Sequence, residues 1–192
     1  MIDEFSSFAR MPAAVLKPED LNEIARQAVF LQRTAHPEVV FETIFPTYPV
    51  TVRCDARLVG QAVMNIVKNA IESIEARIAD GGAGMPGHID VSVIVEAGQA
   101  AVIVEDNGRG LPQQGRERLT EPYVTTRAKG TGLGLAIVKK IMEDHQGELV
   151  LEDREPEGAR VKLIFAAAEP RTQDKQAPAD RWRELSTISH GL

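Results

Sequence analysis

Three short segments of this 192-residue chain carry residue types whose spacing suits a charged or hydrogen-bonding ligand. Asn65 and Asn69 lie four residues apart, Asp106 opens the sequence Asp-Asn-Gly-Arg-Gly, and Gly130–Gly134 reads Gly-Thr-Gly-Leu-Gly. Each segment taken alone also fits an ordinary structural role, such as a tight turn or a solvated helix face.

The glycine-rich segment Gly130–Gly134 stands directly before an apolar run that predicts a helix. Glycines let backbone amides approach an anion closely, and a helix N-terminus adds a positive dipole end, so phosphate binding is one interpretation. A tight turn without a ligand is an equally good one. The segment is not a P-loop, because no Gly-Lys-Ser/Thr follows, and it is not a dinucleotide-binding fingerprint, because a polar loop precedes it.

Asp106 follows Ala101–Glu105, a run that predicts a buried strand. Its carboxylate lies beside flexible glycines, where it can accept a hydrogen bond from an amino group of a ligand. An ordinary turn is the alternative. A calcium-binding loop is excluded, because acids do not recur at alternate positions and no Glu closes the loop.

The two asparagines fall on one helix, whose apolar positions from Asp55 through Ile78 cluster on the opposite side. We expect Asn65, Lys68 and Asn69 to share its exposed face. An amide oxygen is a hard ligand that suits Mg²⁺ without adding charge, whereas a solvated helix face is the commoner explanation for such residues.

Further helices and strands must position these segments. Helical spacing runs from Glu19 to Pro37, and a last helix follows Gly134 and ends at Gly147. Short β-branched runs predict six strands: Val39–Ile44 and Val50–Cys54 around a turn, Ile89–Val95 and Ala101–Glu105 as a hairpin, and Leu149–Leu151 and Val161–Phe165 around Pro156 and Gly158. Leu111–Lys129 is polar and shows no period.

The composition describes an ordinary soluble globular chain, with 43% hydrophobic residues, 26% charged residues and a formal net charge of −6. The acidic balance argues against a nucleic-acid binder that relies on phosphate neutralisation. One cysteine, Cys54, excludes an internal disulfide and a multi-cysteine zinc site, and weakly favours a reducing compartment. No apolar run approaches the length of a membrane span, and we expect no secretory leader, because the first ten residues carry acids.

The order of the segments is more specific than any one of them. The sequences NIVKNAIESI, VEDNGRGLP, EPYVTT and KGTGLGLAIVKKIMEDHQGEL resemble the N, G1, F and G2 boxes of the ATP-binding domain of sensor histidine kinases. EGARVKLIF resembles the final strand of that domain, and the likeness covers Glu19 to Ala168. The opening EFSSFARMP also resembles the end of the dimerisation helix in nitrogen-regulation sensor kinases of the NtrY and NtrB kind.

The resemblance implies a two-layer α/β sandwich of the Bergerat type, shared with gyrase, Hsp90 and MutL. Its mixed sheet would carry helices on one face, and Leu111–Lys129 would be a lid that is mobile without nucleotide. Asn69 would bind Mg²⁺ with Asn65 in support, and Asp106 would accept from the adenine amino group. The other implied nucleotide contacts are Gly108, Gly110, Lys68, Tyr123, Lys129, Gly130, Thr131, Gly132, Leu133, Gly134 and Leu135.

Two positions depart from the family pattern. Tyr123 stands where the F box usually carries Phe, so we expect it to keep the lid packing and add a hydroxyl. Ala159 follows Gly158 where many relatives have Thr, which removes a hydroxyl near the expected adenine position.

The residue types also predict the reaction. Asn65 stands where the hydrolysing relatives carry a Glu that activates water, and an amide cannot accept that proton, so phosphoryl transfer to a histidine is favoured over hydrolysis. His36, His88, His145 and His190 lack the acceptor pattern of the family and are expected to be ordinary surface histidines, with His88 and His190 in loops. An ATP hydrolase and a regulatory nucleotide-binding module are the alternatives.

The expected organisation follows from this resemblance. Residues 1–16 would be a remnant of the dimerisation helix and linker, 17–168 the catalytic ATP-binding domain, and 169–192 a loosely ordered tail. The partners would be the dimerisation domain that carries the acceptor histidine and a response regulator, within a homodimeric kinase that binds no nucleic acid. The fragment would be cytoplasmic and could be the cytoplasmic portion of a membrane-bound sensor.

Overall fold

A five-stranded sheet forms one layer of the computed structural model, which describes residues 13–82, 84–124 and 131–166. The strand order is β2-β4-β5-β7-β6. Its strands are β2 (Val39–Ile44), β4 (Gly87–Glu96), β5 (Gln99–Asp106), β6 (Glu148–Asp153) and β7 (Ala159–Ala166). β2 runs parallel to β4, and the other neighbouring pairs are antiparallel, so the sheet is mixed.

Three helices form the second layer: α1 (Leu21–Ala35), α2 (Ala56–Ala79) and α3 (Gly134–Asp144). The carboxylate of Asp20 caps α1 by accepting from the Asn22 N–H, and that of Asp55 caps α2 by accepting from the N–H groups of Arg57 and Leu58. In the part of the chain that the structure describes, no helix has both the length and the apolar character needed to cross a bilayer.

The core lies between these layers. Alternate residues of the central strands, such as Ile89, Val91 and Val93 of β4, are buried against apolar residues of the helices, including Val63 and Ile66 of α2. The opposite face of the sheet carries charged side chains. The expected α/β sandwich with helices on one face is therefore confirmed.

The two strands predicted around a turn at 39–54 are both present, but they do not pair with each other. β2 pairs with β4, whereas β3 (Thr51–Cys54) pairs antiparallel with β1 (Lys17–Asp20) in a separate two-stranded sheet. The intervening loop is held against α1, because Asn22 Nδ2 donates to the carbonyls of Pro46 and Tyr48 at 3.3 and 2.8 Å. β1 is too short to be recognised from its pattern.

His145 corrects the expectation of ordinary surface histidines, because only 7% of it is exposed. Its Nε2 accepts from the Asp55 N–H at 2.9 Å and its Nδ1 lies 2.7 Å from the Ile141 carbonyl, so it links the start of α2 to the end of α3. His88 lies in β4 and not in a loop. His190, the aromatic residues of 1–12 and the tail 169–192 lie outside the described residues.

Candidate functional site

A cavity of about 360 Å³ opens between α2, the sheet and the segments that precede and begin α3. This volume lies within the usual range for small-molecule sites. Val104, Val161 and Leu151 occupy neighbouring positions on β5, β7 and β6 and supply an apolar wall. Ile66 and Ile137 extend that wall from α2 and α3, so the cavity offers an apolar surface to a flat ring.

Most of the residues singled out in the sequence meet at this cavity, although they come from segments far apart in the chain. The lining contains Asn65, Lys68, Asn69, Asp106, Gly110, Thr131, Gly132, Gly134 and Leu135. Gly108, Leu133 and Tyr123 are not part of the lining, and Lys129 and Gly130 lie outside the described residues.

Asn65 and Asn69 line the cavity and do not lie on a fully solvated face, which corrects the expectation from periodicity, whereas Lys68 is exposed as expected. Asn65 and Asn69 are both half-buried. Asn65 Nδ2 is buried without a hydrogen-bond partner in the described ranges, and such a donor is costly unless a ligand supplies an acceptor. The Asn69 amide lies within 3.8 Å of the position that a Cβ on Gly134 would occupy. Asn69 and the first residue of α3 are therefore neighbours in the cavity lining.

The start of α3 leaves its backbone donors available on this side. Leu133 stands at the N-cap position, and no side chain among the described residues caps the helix. The Leu133 N–H donates to Thr131 Oγ1 at 3.4 Å, and Gly132 turns the chain with a φ of 68°. Uncapped N–H groups and the helix dipole favour an anion at this end of the cavity.

Asp106 lies at the other end and is only 4% exposed. Its Oδ1 accepts from the Gly108 N–H at 2.8 Å. Burial raises the pKa of Asp106 from 3.8 to about 6, although the backbone N–H groups of Gly108 and Ala159 and the Ser73 hydroxyl act in the opposite direction. A ligand that donates a hydrogen bond to this carboxylate would stabilise its ionised form.

Close backbone packing holds Asp106 in place. A Cβ on Gly108 would overlap Ser73 of α2, and a Cβ on Gly158 would overlap the Asp106 carbonyl oxygen. Gly158 also has a φ of 119°, which side chains of L-residues rarely adopt. The C-terminal end of β5 therefore packs closely between α2 and the turn that joins β6 to β7.

Replacing Gly158 should therefore disturb both stability and the site. We expect Gly158→Ala to lower the free energy of unfolding by at least about 2 kcal/mol, because the positive φ and the overlap with Asp106 act together. Urea denaturation measures this loss. Gly98→Ala is the matched control, because Gly98 has a φ of 77° with nothing within 4 Å of its Cβ position, and it should cost about 1 kcal/mol. Equal losses in the two variants would show that packing on Asp106 is unimportant.

The described part of the expected lid, 111–124, is not wholly irregular. It contains a short 3₁₀ helix, Arg116–Arg118, and Arg116 pairs with both carboxylate oxygens of Asp153 at 2.7 and 2.8 Å. Tyr123 is 62% exposed and contacts Gly132 through its backbone N–H, which donates to the Gly132 carbonyl at 3.0 Å. Residues 125–130 lie outside the described residues, and the response of the lid to nucleotide stays a prediction.

Sequence reasoning missed several residues of this site. Ser73 lies on α2 beside Asp106 and had the appearance of an ordinary polar helix residue. In the sequence, Val104, Leu151 and Val161 could not be distinguished from ordinary buried strand residues, although they form the apolar wall of the cavity. Gly158 did carry a signal, because it is the one glycine between the last two predicted strands, but its contact with Asp106 could not be inferred from spacing.

Comparisons with known proteins agree with this geometry. The family model for histidine kinase-, DNA gyrase B- and HSP90-like ATPases matches residues 54–169. Nitrogen regulation protein NtrY of Azorhizobium caulinodans is 51% identical over 178 residues, which are 92% of this chain and 23% of that protein. The chain thus spans about a quarter of that relative.

Solved structures show the same architecture. The mycobacterial sensor histidine kinase MprB matches with a TM-score of 0.67 and 27% identity over 80% of this chain and 98% of that one. Full-length ShkA in complex with AMPPNP matches with a TM-score of 0.70 and 25% identity over 87% of this chain and 35% of that one.

The α/β sandwich and its cavity define a nucleotide-binding class of domain. Within that class, the chain belongs to the family of histidine kinase-, DNA gyrase B- and HSP90-like ATPases, and its NtrY relative is a nitrogen regulation protein.

Proposed function

We propose that this chain is the ATP-binding catalytic domain of a sensor histidine kinase, and that it donates the γ-phosphoryl group of ATP to a histidine on a dimerisation domain for relay to a response regulator. The observation that carries the proposal is the pair Asn65 and Asn69 at one end of the cavity, with Asp106 at the other. The similarity to ShkA, whose structure contains AMPPNP, supports a nucleotide in this cavity.

The cavity suits ATP in one orientation. Asp106 would accept from the adenine amino group, and the wall of Val104, Leu151 and Val161 would pack against the ring. The phosphates would then extend towards the start of α3, where the backbone N–H groups of Gly134 and Leu135 would donate to them. Lys68 lines the same cavity and would add positive charge.

The residues at the phosphate end also fit Mg²⁺. Asn69 offers an amide oxygen, a hard neutral ligand of the kind that Mg²⁺ accepts while keeping several waters. Asn65 presents a buried Nδ2 without a described partner, which would donate to a phosphate oxygen. Bound there, the metal would neutralise charge that develops on the phosphates during transfer.

The same residues favour transfer over hydrolysis. The amide of Asn65 cannot act as a general base for water. The carboxylates among the described lining residues are those of Asp106 and Glu72, and neither occupies the position of Asn65. Of the histidines in the described part of the chain, none lines the cavity, so the acceptor would come from another domain.

The wider organisation is part of the proposal. Residues 17–168 would form the catalytic domain, 1–16 the end of the dimerisation helix and linker, and 169–192 a tail. The full kinase would be a homodimer. Because ATP is an intracellular donor, the domain would work in the cytoplasm, whether or not the complete kinase is anchored in a membrane.

The metal role of Asn69 predicts a specific loss. Asn69→Ala should weaken Mg-ATP binding by at least about tenfold and leave ATP binding without Mg²⁺ nearly unchanged, because the substitution removes the proposed metal ligand. Isothermal titration with and without Mg²⁺ measures both. Glu75→Ala is the matched control, since Glu75 is exposed on the same helix and outside the cavity lining. A lower unfolding temperature with unchanged Mg-ATP affinity would make Asn69 structural and refute its metal role.

A further inference from the structure

A second group of potential ligands lies on the outer face of the sheet, away from the helices and the cavity. Glu42 of β2 and Asp90 of β4 are direct partners in the parallel register. His88 precedes Asp90 by two residues, so strand alternation places it on the same face. The buried partners Phe41 and Ile89 point to the helix side instead.

The three side chains converge. His88 Nε2 lies 2.9 Å from Asp90 Oδ1, and one ligand atom from each of Glu42, His88 and Asp90 lies within 4.8 Å of the other two. Arg154 donates to the other oxygen of Asp90 at 3.0 Å, which holds that carboxylate with Oδ1 towards His88.

The charges in this group are not balanced. Two carboxylates directly opposite on neighbouring strands repel each other. Arg154 pairs with Asp90 at 3.0 Å, and Glu105, which lies 3.8 Å from Arg154, has a closer partner in Arg160 at 2.8 Å, so Arg154 compensates mainly Asp90. Glu42 forms no ion pair within the described ranges, although it faces Asp90 across the strand pair. A cation between Glu42 and Asp90 would remove this repulsion.

We propose that Glu42, His88 and Asp90 bind Zn²⁺ at this edge of the sheet. One imidazole nitrogen and two carboxylate oxygens are a set that Zn²⁺ accepts, with water in the remaining position. Mg²⁺ prefers oxygen ligands only, so the imidazole selects against the ion expected at Asn69. Ligand distances of about 2.0–2.2 Å require the side chains to close by about 1 Å, which Glu42 can do because it is exposed at an edge strand.

The ion would link β2, the edge strand of the sheet, to its neighbour β4. Arg154 would remain on the outer oxygen of Asp90 and orient it, as residues outside the ligand set do in zinc sites. The proposed zinc site contains no residue of the nucleotide cavity, so its test does not depend on the kinase function.

Isothermal titration of ZnCl₂ into the nucleotide-free chain tests the site. We expect one Zn²⁺ per chain, and at least about tenfold weaker binding in both His88→Gln and Glu42→Gln. His36→Gln is the matched control. His36 also pairs with a carboxylate, that of Glu38 at 3.1 Å, but among the described residues it belongs to no cluster of three potential metal ligands. The control should bind Zn²⁺ as the unchanged chain does.

Three results would overturn the site: unchanged affinity in Glu42→Gln, an equal loss in His36→Gln, or Mg²⁺ binding as tight as Zn²⁺. Glu42→Gln decides the matter even if His88→Gln fails to fold, because Glu42 is exposed and forms no ion pair with the described residues. Circular dichroism of each variant confirms that the fold is retained.

Discussion

Incubated alone with ATP labelled in the γ-position, this chain should bind the nucleotide, hydrolyse it negligibly and acquire no label. Asn65 cannot activate water, and none of the described histidines lines the cavity. Adding a separate helical hairpin that carries the acceptor histidine of the family should place acid-labile label on the hairpin. The rate should be well below that of a linked kinase, because the linker no longer provides a high effective concentration.

The same assay separates the three possible functions of the site. Asn69→Ala should reduce the label on the hairpin at least about tenfold, whereas Glu75→Ala should leave it unchanged. Rapid ATP hydrolysis by the chain alone would instead favour the gyrase-like hydrolases. Tight ATP binding without transfer to any acceptor hairpin would favour a regulatory nucleotide-binding module.

Asp106→Asn should reduce ATP affinity by about 10- to 150-fold, because it replaces a charge-assisted contact of about 1.5–3 kcal/mol. The preference for ATP over GTP should fall with it, since a carboxylate accepts from the adenine amino group but repels the carbonyl oxygen that guanine presents there. Competition titrations at pH 8, where Asp106 with a pKa of about 6 is ionised, measure both effects.

The matched control for Asp106 is the residue before it. Glu105 lies on the same strand but faces the outer side of the sheet, where it pairs with Arg160 at 2.8 Å. Glu105→Gln should therefore leave nucleotide affinity unchanged. A normal affinity and a normal ATP preference in Asp106→Asn would contradict the adenine assignment.

Protonation of Asp106 supplies an independent readout. In the nucleotide-free protein its pKa is raised, so lowering the pH through about 6 converts the acceptor into a neutral carboxyl group before binding. Affinity for adenosine, which has no phosphate to titrate, should fall across that range in the unchanged chain. Asp106→Asn should show no such change.

Much of the fold follows from patterns that are local in the chain. The apolar period and the Asp55 cap predicted a helix at Asp55–Ile78, and α2 runs from Ala56 to Ala79. The hairpin of β4 and β5 was also predicted, because two β-rich runs are joined through Ala97, Gly98 and Gln99. In the structure β4 and β5 pair antiparallel, and Ala97 and Gly98 have positive φ. In each case the residues that define the element also supply its hydrogen bonds.

Elements that depend on distant partners were less predictable. β-branched spacing showed that β2 and β3 are strands, but the choice of β4 and β1 as their partners depends on contacts across the whole domain. His145 looked like a surface residue at a helix end, because its partner Asp55 lies 90 residues away. The same applies to Ser73 and Gly158, which contact the Asp106 loop only in the folded chain.

The sequence by itself determined the three helices, most of the strands, their order and the residue types available for nucleotide chemistry, because helix period and glycine turns are encoded within a few neighbouring residues. The short strand β1 was not recognisable in this way. Only the tertiary structure decided that Asn65 and Asn69 line a cavity and are not a solvated face, and that Asp106 is buried at its far end. A period shows which residues share a face of a helix. Whether that face meets water or a ligand depends on what the rest of the chain packs opposite it.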